Sequence, residues 1–381
     1  MIKRVDNNQL NNAIKLWWRS IDQQVILALV ILFVFSIMLV TTSGSVVAAR
    51  IGLDEHYFAT RQLFYLGSAA ILIILFSSFE QKWLKRLAIL GFIISVILLI
   101  VVRFYGYEVK GATRWINIFG LSMQPSEFIK PFFVVVVGWI LSLKFTSDFP
   151  SFSVSVALYS LVALLLIIQP DFGMLIMFTA IFGIQLFIAG MPLFWIIFAF
   201  FVSIAGVIGG YLWLPHVTKR INSFLDPDSS ENYQIGKSIR AFEHGGLYGK
   251  GPGEGAVKQV LPDSHTDFIF AVAGEEFGAI ICLVIIGTFA FIVVRCLLRT
   301  MNEEDKFTQL AASGIIVQLG LQSIINIGVA LNLLPTKGMT LPFISYGGSS
   351  TLSTAIATGM MLGFTKYKTS LTKYKIQDID I

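Results

Sequence analysis

Charge is scarce in this chain. Asp, Glu, Lys and Arg make up 13% of its 381 residues, while hydrophobic residues make up 55%. A soluble fold carries about a quarter charged residues, so lipid rather than water is the solvent for most of this one. Cysteine is scarcer still. The two cysteines, Cys282 and Cys296, fall in or at the end of a single apolar run. They are too few and too badly placed for a disulfide framework or a metal site, and they read as small apolar residues. Met1 to Gln24 is polar and lacks a short apolar region with an Ala-x-Ala cleavage site, which argues against a cleaved signal peptide. No clear internal repeat of the kind that marks many transporters is visible. The net charge of +5 sits on Lys and Arg residues in short loops and tails. That placement sets membrane orientation and points away from a nucleic-acid partner.

What the chain has in abundance is apolar runs of roughly twenty residues, the length that crosses a bilayer as a helix. They predict spans near 25–45, 60–78, 84–102, 127–145, 153–168, 172–190, 192–214, 268–296, 308–330 and 343–364. The expected fold class is all-α: a polytopic transmembrane bundle of about ten helices with a large extracytoplasmic loop. The expected layout is an N-terminal tail over 1–24, a membrane domain over 25–364 that includes the large loop 215–266, and a C-terminal tail over 365–381. An even number of spans puts both ends on one side. Lys82, Lys85, Arg86, Lys144, Arg295, Arg299 and Lys306 fall on that side with the basic tails. The positive-inside rule therefore predicts that both termini are cytoplasmic and the 215–266 loop is outside.

The outer loops hold the unusual polar residues. One reads Gly111-Ala112-Thr113-Arg114-Trp115, then Gln124-Pro125-Ser126-Glu127, with Lys130 a turn inside an apolar span. A charge there costs at least about 2.5 kcal/mol on insertion scales. Lys130 can snorkel, pair with Glu127 three residues earlier, or hold an anionic substrate. The large loop carries Arg220, Tyr233, Gln234 and a glycine cluster from Gly245 to Gly255. The glycines lack the Gly-Lys-Ser/Thr ending of a phosphate loop. They read as tight turns in a loop folded back on the membrane.

Leu261-Pro262-Asp263-Ser264-His265-Thr266-Asp267-Phe268 carries a polar cluster straight into an apolar run. Ser264 with Asp267 has capping-box form. The same geometry would favour an ionised Asp267 at a helix start, able to accept a proton from a hydroxyl or to bind a divalent cation. The two readings are compatible. Glu275 and Glu276 follow, and adjacent carboxylates diverge by about 100° on a helix, so they make no obvious dyad. Gly274 and Gly278 flank them and suggest a broken or closely packed helix. Lys337 precedes a last polar entry, Ser345-Tyr346-Gly347-Gly348-Ser349-Ser350, where backbone N–H groups at a helix start suit an anion. Nucleoside triphosphates are not normally available outside the cytoplasmic membrane. A substrate for an outer site must therefore arrive already activated, and a lipid-linked pyrophosphate would suit Arg114, Lys130, Arg220 and Lys337.

In this order and combination the motifs resemble the shape, elongation, division and sporulation (SEDS) family of bacterial cell-wall polymerases. The matching pieces run from Arg114 to Ser350 and include Gln169-Pro170-Asp171 and Tyr233-Gln234. Pro335-Thr336-Lys337-Gly338-Met339-Thr340-Leu341-Pro342 is more similar to the division branch than to the elongation branch. The resemblance implies a peptidoglycan glycosyltransferase that polymerises lipid II at the outer face of the cytoplasmic membrane during septal synthesis, with inversion and without a nucleotide. It implies Asp267 as the essential acid, acting as base or as ligand of a divalent cation (Mg or Mn). The expected substrate contacts are Arg114, Lys130, Arg220, Tyr233, Gln234, His265, Lys337, Ser345, Gly347, Gly348 and Ser349. The implied partners are a class B penicillin-binding transpeptidase and other division proteins. Three other functions stay open on residues alone: a lipid II flippase, a polymerase of the elongation branch, and a scaffold for division proteins.

Overall fold

The computed structural model describes residues 7–109, 112–118, 120–213, 218, 222, 230–335 and 338–367. Its helices in chain order are α1 (Asn7–Ser20), α2 (Gln23–Arg50), α3 (Tyr57–Ser78), α4 (Gln81–Tyr105), α5 (Pro125–Ser142), α6 (Ser151–Ile168), α7 (Phe172–Ile188), α8 (Leu193–Trp213), α9 (Ser230–Gly245), α10 (Ile269–Met301), α11 (Lys306–Ala330) and α12 (Gly348–Phe364). Among the described residues, eight helices are long and apolar enough to cross a membrane. The shorter α7 and α12 fall on the two remaining expected spans. The chain is a multi-pass membrane protein, and its spans match the apolar runs to within a few residues. The range expected as an N-terminal tail also contains a helix, α1.

Helices suit this setting because each satisfies its own backbone, as lipid demands. The bundle is layered. Helices α5, α11 and α12 are largely buried, and α2, α3, α4, α6, α7 and α10 pack around them. Helix α8 packs on α7 and is otherwise almost wholly exposed. The outer helices present Phe64, Ile71, Phe104, Leu164 and Phe200 outward, a surface that suits acyl chains. Lipid is as apolar as leucine, so close approach and polar contacts must hold the helices together. Gly138 lets α5 meet α11 backbone to backbone: a Cβ there would lie 2.9 Å from Ala311 N. Gln185 donates to Val134 O at 2.9 Å and Gln169 donates to Leu99 O at 2.7 Å.

At one end of the bundle the turn between α1 and α2 meets the segment after α12. Asp22 caps α2 and pairs with Arg295 at 2.7 Å and Arg299 at 3.4 Å. Tyr367 N–H donates to Ser20 O at 2.7 Å, and Lys366 donates to Ser78 O at 3.1 Å. The loops at the opposite end add a small antiparallel sheet that the sequence reading did not anticipate. It has the order β1 (Tyr107–Val109), β2 (Ala112–Ile118), β3 (Leu121–Met123), with Trp115 opposite Tyr107 and Ile116 opposite Met123.

The fold also departs from regular helices inside α10. Gly278 has φ 79° and ψ 178°, so the helix breaks there, as its flanking glycines suggest. The freed backbone groups are taken up by the glycine-rich segment after α9. Lys250 N–H donates to Glu275 O at 2.9 Å, Gly251 N–H to Glu276 O at 3.0 Å, and Ala279 N–H to Gly246 O at 2.9 Å. Irregular backbone in a membrane protein persists where protein supplies the missing partners. Gly246, Gly249, Gly251 and Gly253 all have positive φ. These are the tight turns expected of the cluster.

Candidate active site

The turn that presents Asp267 is not helical. Residues 262–268 form successive turns, Asp263 has φ 54°, and α10 starts at Ile269 with Phe268 as its N-cap. This corrects the expectation that Asp267 sits in the first helical turn as the partner of Ser264 in a capping box. The Ser264 hydroxyl is buried and has no hydrogen-bond partner among the described residues. The cause is tertiary. Tyr346 N–H donates to His265 O at 2.9 Å, Ser345 Oγ to Thr266 O at 2.6 Å, and Asn326 Nδ2 to Asp267 O at 2.9 Å. Three successive carbonyls are held by other elements, so they do not start the helical ladder.

The Asp267 side chain is half-buried and lies against the 338–347 loop. A Cβ placed on Gly338 would be 3.3 Å from its Oδ2. His265 is buried, with its ring 4.5 Å from that of Phe58 and 5.5 Å from that of Tyr346. Burial pushes the Tyr346 phenol up to about 12, so it stays protonated beside its Arg61 partner. Ser345 is buried and also accepts from Leu341 N–H at 2.8 Å. Gly347 precedes α12. Gly348 lets α12 approach α3, since a Cβ there would lie 2.6 Å from the Tyr65 ring. Ser349 accepts from Gln124 N–H at 3.0 Å and so ties α12 to the entry of α5. The Ser345 and Ser349 hydroxyls thus bind the loops at this end of the bundle to one another.

Lys130 has no exposed surface. Its Nζ lies 2.7 Å from Glu127 Oε2 and donates to Gln322 Oε1 at 3.0 Å. The pairing with Glu127 that its spacing allowed is the one observed. Gln322 then donates to Thr340 O at 3.1 Å and Ser350 Oγ at 3.3 Å. Arg114, on β2, donates to Pro170 O at 2.7 Å, and its Nη1 lies 3.4 Å from Asp171 Oδ1. It latches the sheet to the turn between α6 and α7. Glu275 accepts from Ala256 and Val257 N–H groups, each at 3.0 Å, and Glu276 pairs with Lys258 at 2.5 Å. Both acids therefore anchor the inserted segment. Gln234 is half-buried on α9. Tyr233 lies on the same helix, but its side chain falls outside the described residues, as do Arg220 and Lys337.

Sequence reasoning missed Gln322 and Asn326. The available signal was three amides, Gln318, Gln322 and Asn326, four residues apart in an apolar run, which places them on one helix face. No three of His, Cys, Asp and Glu converge among the described residues. A single carboxylate such as Asp267 would hold a divalent cation only together with water or substrate oxygens.

A multi-pass helical bundle with a polar loop cluster at the end away from Ser20 and Tyr367 defines a membrane protein with a candidate site at one end of its bundle. The chain belongs to the FtsW/RodA/SpoVE family, described as cell cycle proteins, whose model matches residues 23–370. A probable peptidoglycan glycosyltransferase FtsW of Caulobacter vibrioides is 41% identical over 352 residues, covering 92% of this chain and 90% of the relative. One of the same description from Trichlorobacter lovleyi is 36% identical, covering 90% of this chain and 92% of the relative. A chain of a peptidoglycan synthase complex that coordinates polymerization and crosslinking shares the fold, with a TM-score of 0.75, 24% identity, and 91% and 97% of the two chains covered. The rod shape determining protein RodA of Thermus thermophilus shares it with a TM-score of 0.69, 23% identity and the same coverage.

Proposed function

We propose that this chain is a peptidoglycan glycosyltransferase of the FtsW type that polymerises lipid II at the outer face of the cytoplasmic membrane during septal wall synthesis. The names of its relatives support the activity. The observation that carries the site is the turn of residues 262–268, which offers the half-buried Asp267 beside the 338–347 loop.

In the proposed reaction, the Asp267 carboxylate accepts the proton of the acceptor sugar 4-hydroxyl. The hydroxyl oxygen bonds to the donor anomeric carbon. The anomeric bond to phosphate breaks on the opposite face, and undecaprenyl diphosphate leaves with the electron pair, so the configuration inverts. Arg114 and Lys130 are occupied within the protein and frame the loops. Contact with pyrophosphate is assigned to Arg220 and Lys337. Any divalent cation would arrive with the substrate's pyrophosphate, and no step here depends on one. Both termini are cytoplasmic in this reading, supported by Arg295, Arg299 and Lys366 clustered at the end of the bundle that holds Ser20 and Tyr367. A class B penicillin-binding transpeptidase is the proposed partner, and the shared fold with a chain of a synthase complex supports it.

The test gives purified protein and its partner lipid II, with and without divalent cation, and follows glycan polymer and undecaprenyl diphosphate together. Polymer with one lipid diphosphate released per bond is the expected result. Movement of the headgroup across vesicles without polymer would replace this reading with a flippase.

A further inference from the structure

Asn326 stands where α11 meets both loops of the site. It is 1% exposed, and its single amide nitrogen donates to Asp267 O at 2.9 Å and Met339 O at 2.6 Å. These two carbonyls lie 59 and 13 residues away along the chain. Both amide hydrogens are used. The Oδ1 acceptor is buried and has no hydrogen-bond partner among the described residues, so the side chain serves this place as a double donor. Gln322, one helical turn earlier, fixes the next residue of the same loop through Thr340 O at 3.1 Å. Helix α11 therefore holds successive loop carbonyls at a spacing set by its own pitch, about 5.4 Å per turn.

We propose that Asn326 is a positioning residue for the Asp267 carboxylate, holding the backbone of residue 267 in register with the Gly338–Met339 segment of the facing loop. The proposal rests on the assignment of Asp267 as base. Its basis is that the clamp grips the backbone of the same residue whose carboxylate faces Gly338, 3.3 Å from where a Cβ would stand. Rotation of that backbone by loss of the clamp would move the carboxylate against its neighbours across the site. Leucine has nearly the shape of asparagine and donates nothing. Misplacing a reacting group by about 1 Å can cost roughly 10²-fold in rate.

The experiment measures steady-state polymerisation of lipid II by the full chain with its partner. Asn326→Leu is expected to lower kcat about 10²-fold while leaving KM within about twofold, because the clamp acts on the base and not on binding. In an Asp267→Ala background it should reduce the residual rate no further. A buried but merely structural side chain would lower both backgrounds alike. Gln318→Leu, on the same helix face and away from both loops, is the matched control and should keep full activity. Asn326→Ser retains one donor and is read in the same way if the leucine variant does not fold. The proposal is overturned if Asn326→Leu turns over normally while Asp267→Ala is inactive, or if its loss falls on KM or persists in the Asp267→Ala background. Normal turnover by Asp267→Ala would instead remove the base assignment on which the proposal stands.

Discussion

Replacing Gly278 with alanine should unlock the break in α10. The residue has φ 79° and ψ 178°, a region open to glycine almost alone. An added Cβ would lie 2.4 Å from Gly249 N and 2.4 Å from Leu247 O. Both are backbone atoms, so no side chain can swing aside. The conformational strain alone costs about 1–3 kcal/mol. The separation forced between the two segments also weakens four bonds: Lys250 N–H to Glu275 O, Gly251 N–H to Glu276 O, Ala279 N–H to Gly246 O and Ile280 N–H to Leu247 O. Each is worth about 0.5–1.5 kcal/mol net. With half of that lost, the total is about 2–6 kcal/mol. Gly287, further along the same helix, has nothing within 4 Å of an added Cβ. Gly287→Ala should be neutral or gain up to about 1 kcal/mol. Intrinsic fluorescence during thermal unfolding in mild detergent separates the two. A Gly278→Ala protein that melts at or above Gly287→Ala would refute the reasoning.

Lys130→Met should destabilise by about 3–5 kcal/mol, because it strands Glu127 in the core, and adding Glu127→Gln should recover much of the loss. Chemical unfolding of both variants checks this. Asp22→Ala removes the cap of α2, about 1 kcal/mol, together with both arginine contacts. Asp22→Asn should fall between it and wild type on a melting curve. The buried Tyr346 phenol titrates near 12 in the folded chain against about 10 when unfolded. The folded state holds that proton longer, so the contribution is complete below pH 10 and is lost as pH rises toward about 12. Melting temperature against alkaline pH should therefore fall less steeply in Tyr346→Phe.

Eight spans were legible because lipid imposes length and hydropathy on them, and the shorter α7 and α12 fall on the two remaining apolar runs. The break at Gly278 was legible too, because two glycines flanked a pair of acids inside an apolar run. The partner of that break was not, since the segment that fills it lies about thirty residues earlier in sequence. The sheet escaped notice because two of its three strands have only three residues each, too few to show an alternating pattern. Ser264 and Asp267 show why a spacing underdetermines a structure. The same three-residue interval fits a helix cap and a non-helical turn, and contacts from Ser345, Tyr346 and Asn326 select the turn. Lys130 was marked by its charge, but the amide it meets, Gln322, was not. Gln322 and Asn326 sit in a run apolar enough to hide them, and their partners lie on loops distant in sequence.

The most direct test of Asp267 as the base is the rate of bond formation itself. Single-turnover polymerisation of lipid II by wild-type protein and by Asp267→Ala, both verified as folded and bound to the partner transpeptidase, measures it without product release. Loss of about 10²-fold or more in the rate, with lipid II binding retained, is the predicted result. Polymer formed by Asp267→Ala at the wild-type rate would contradict it.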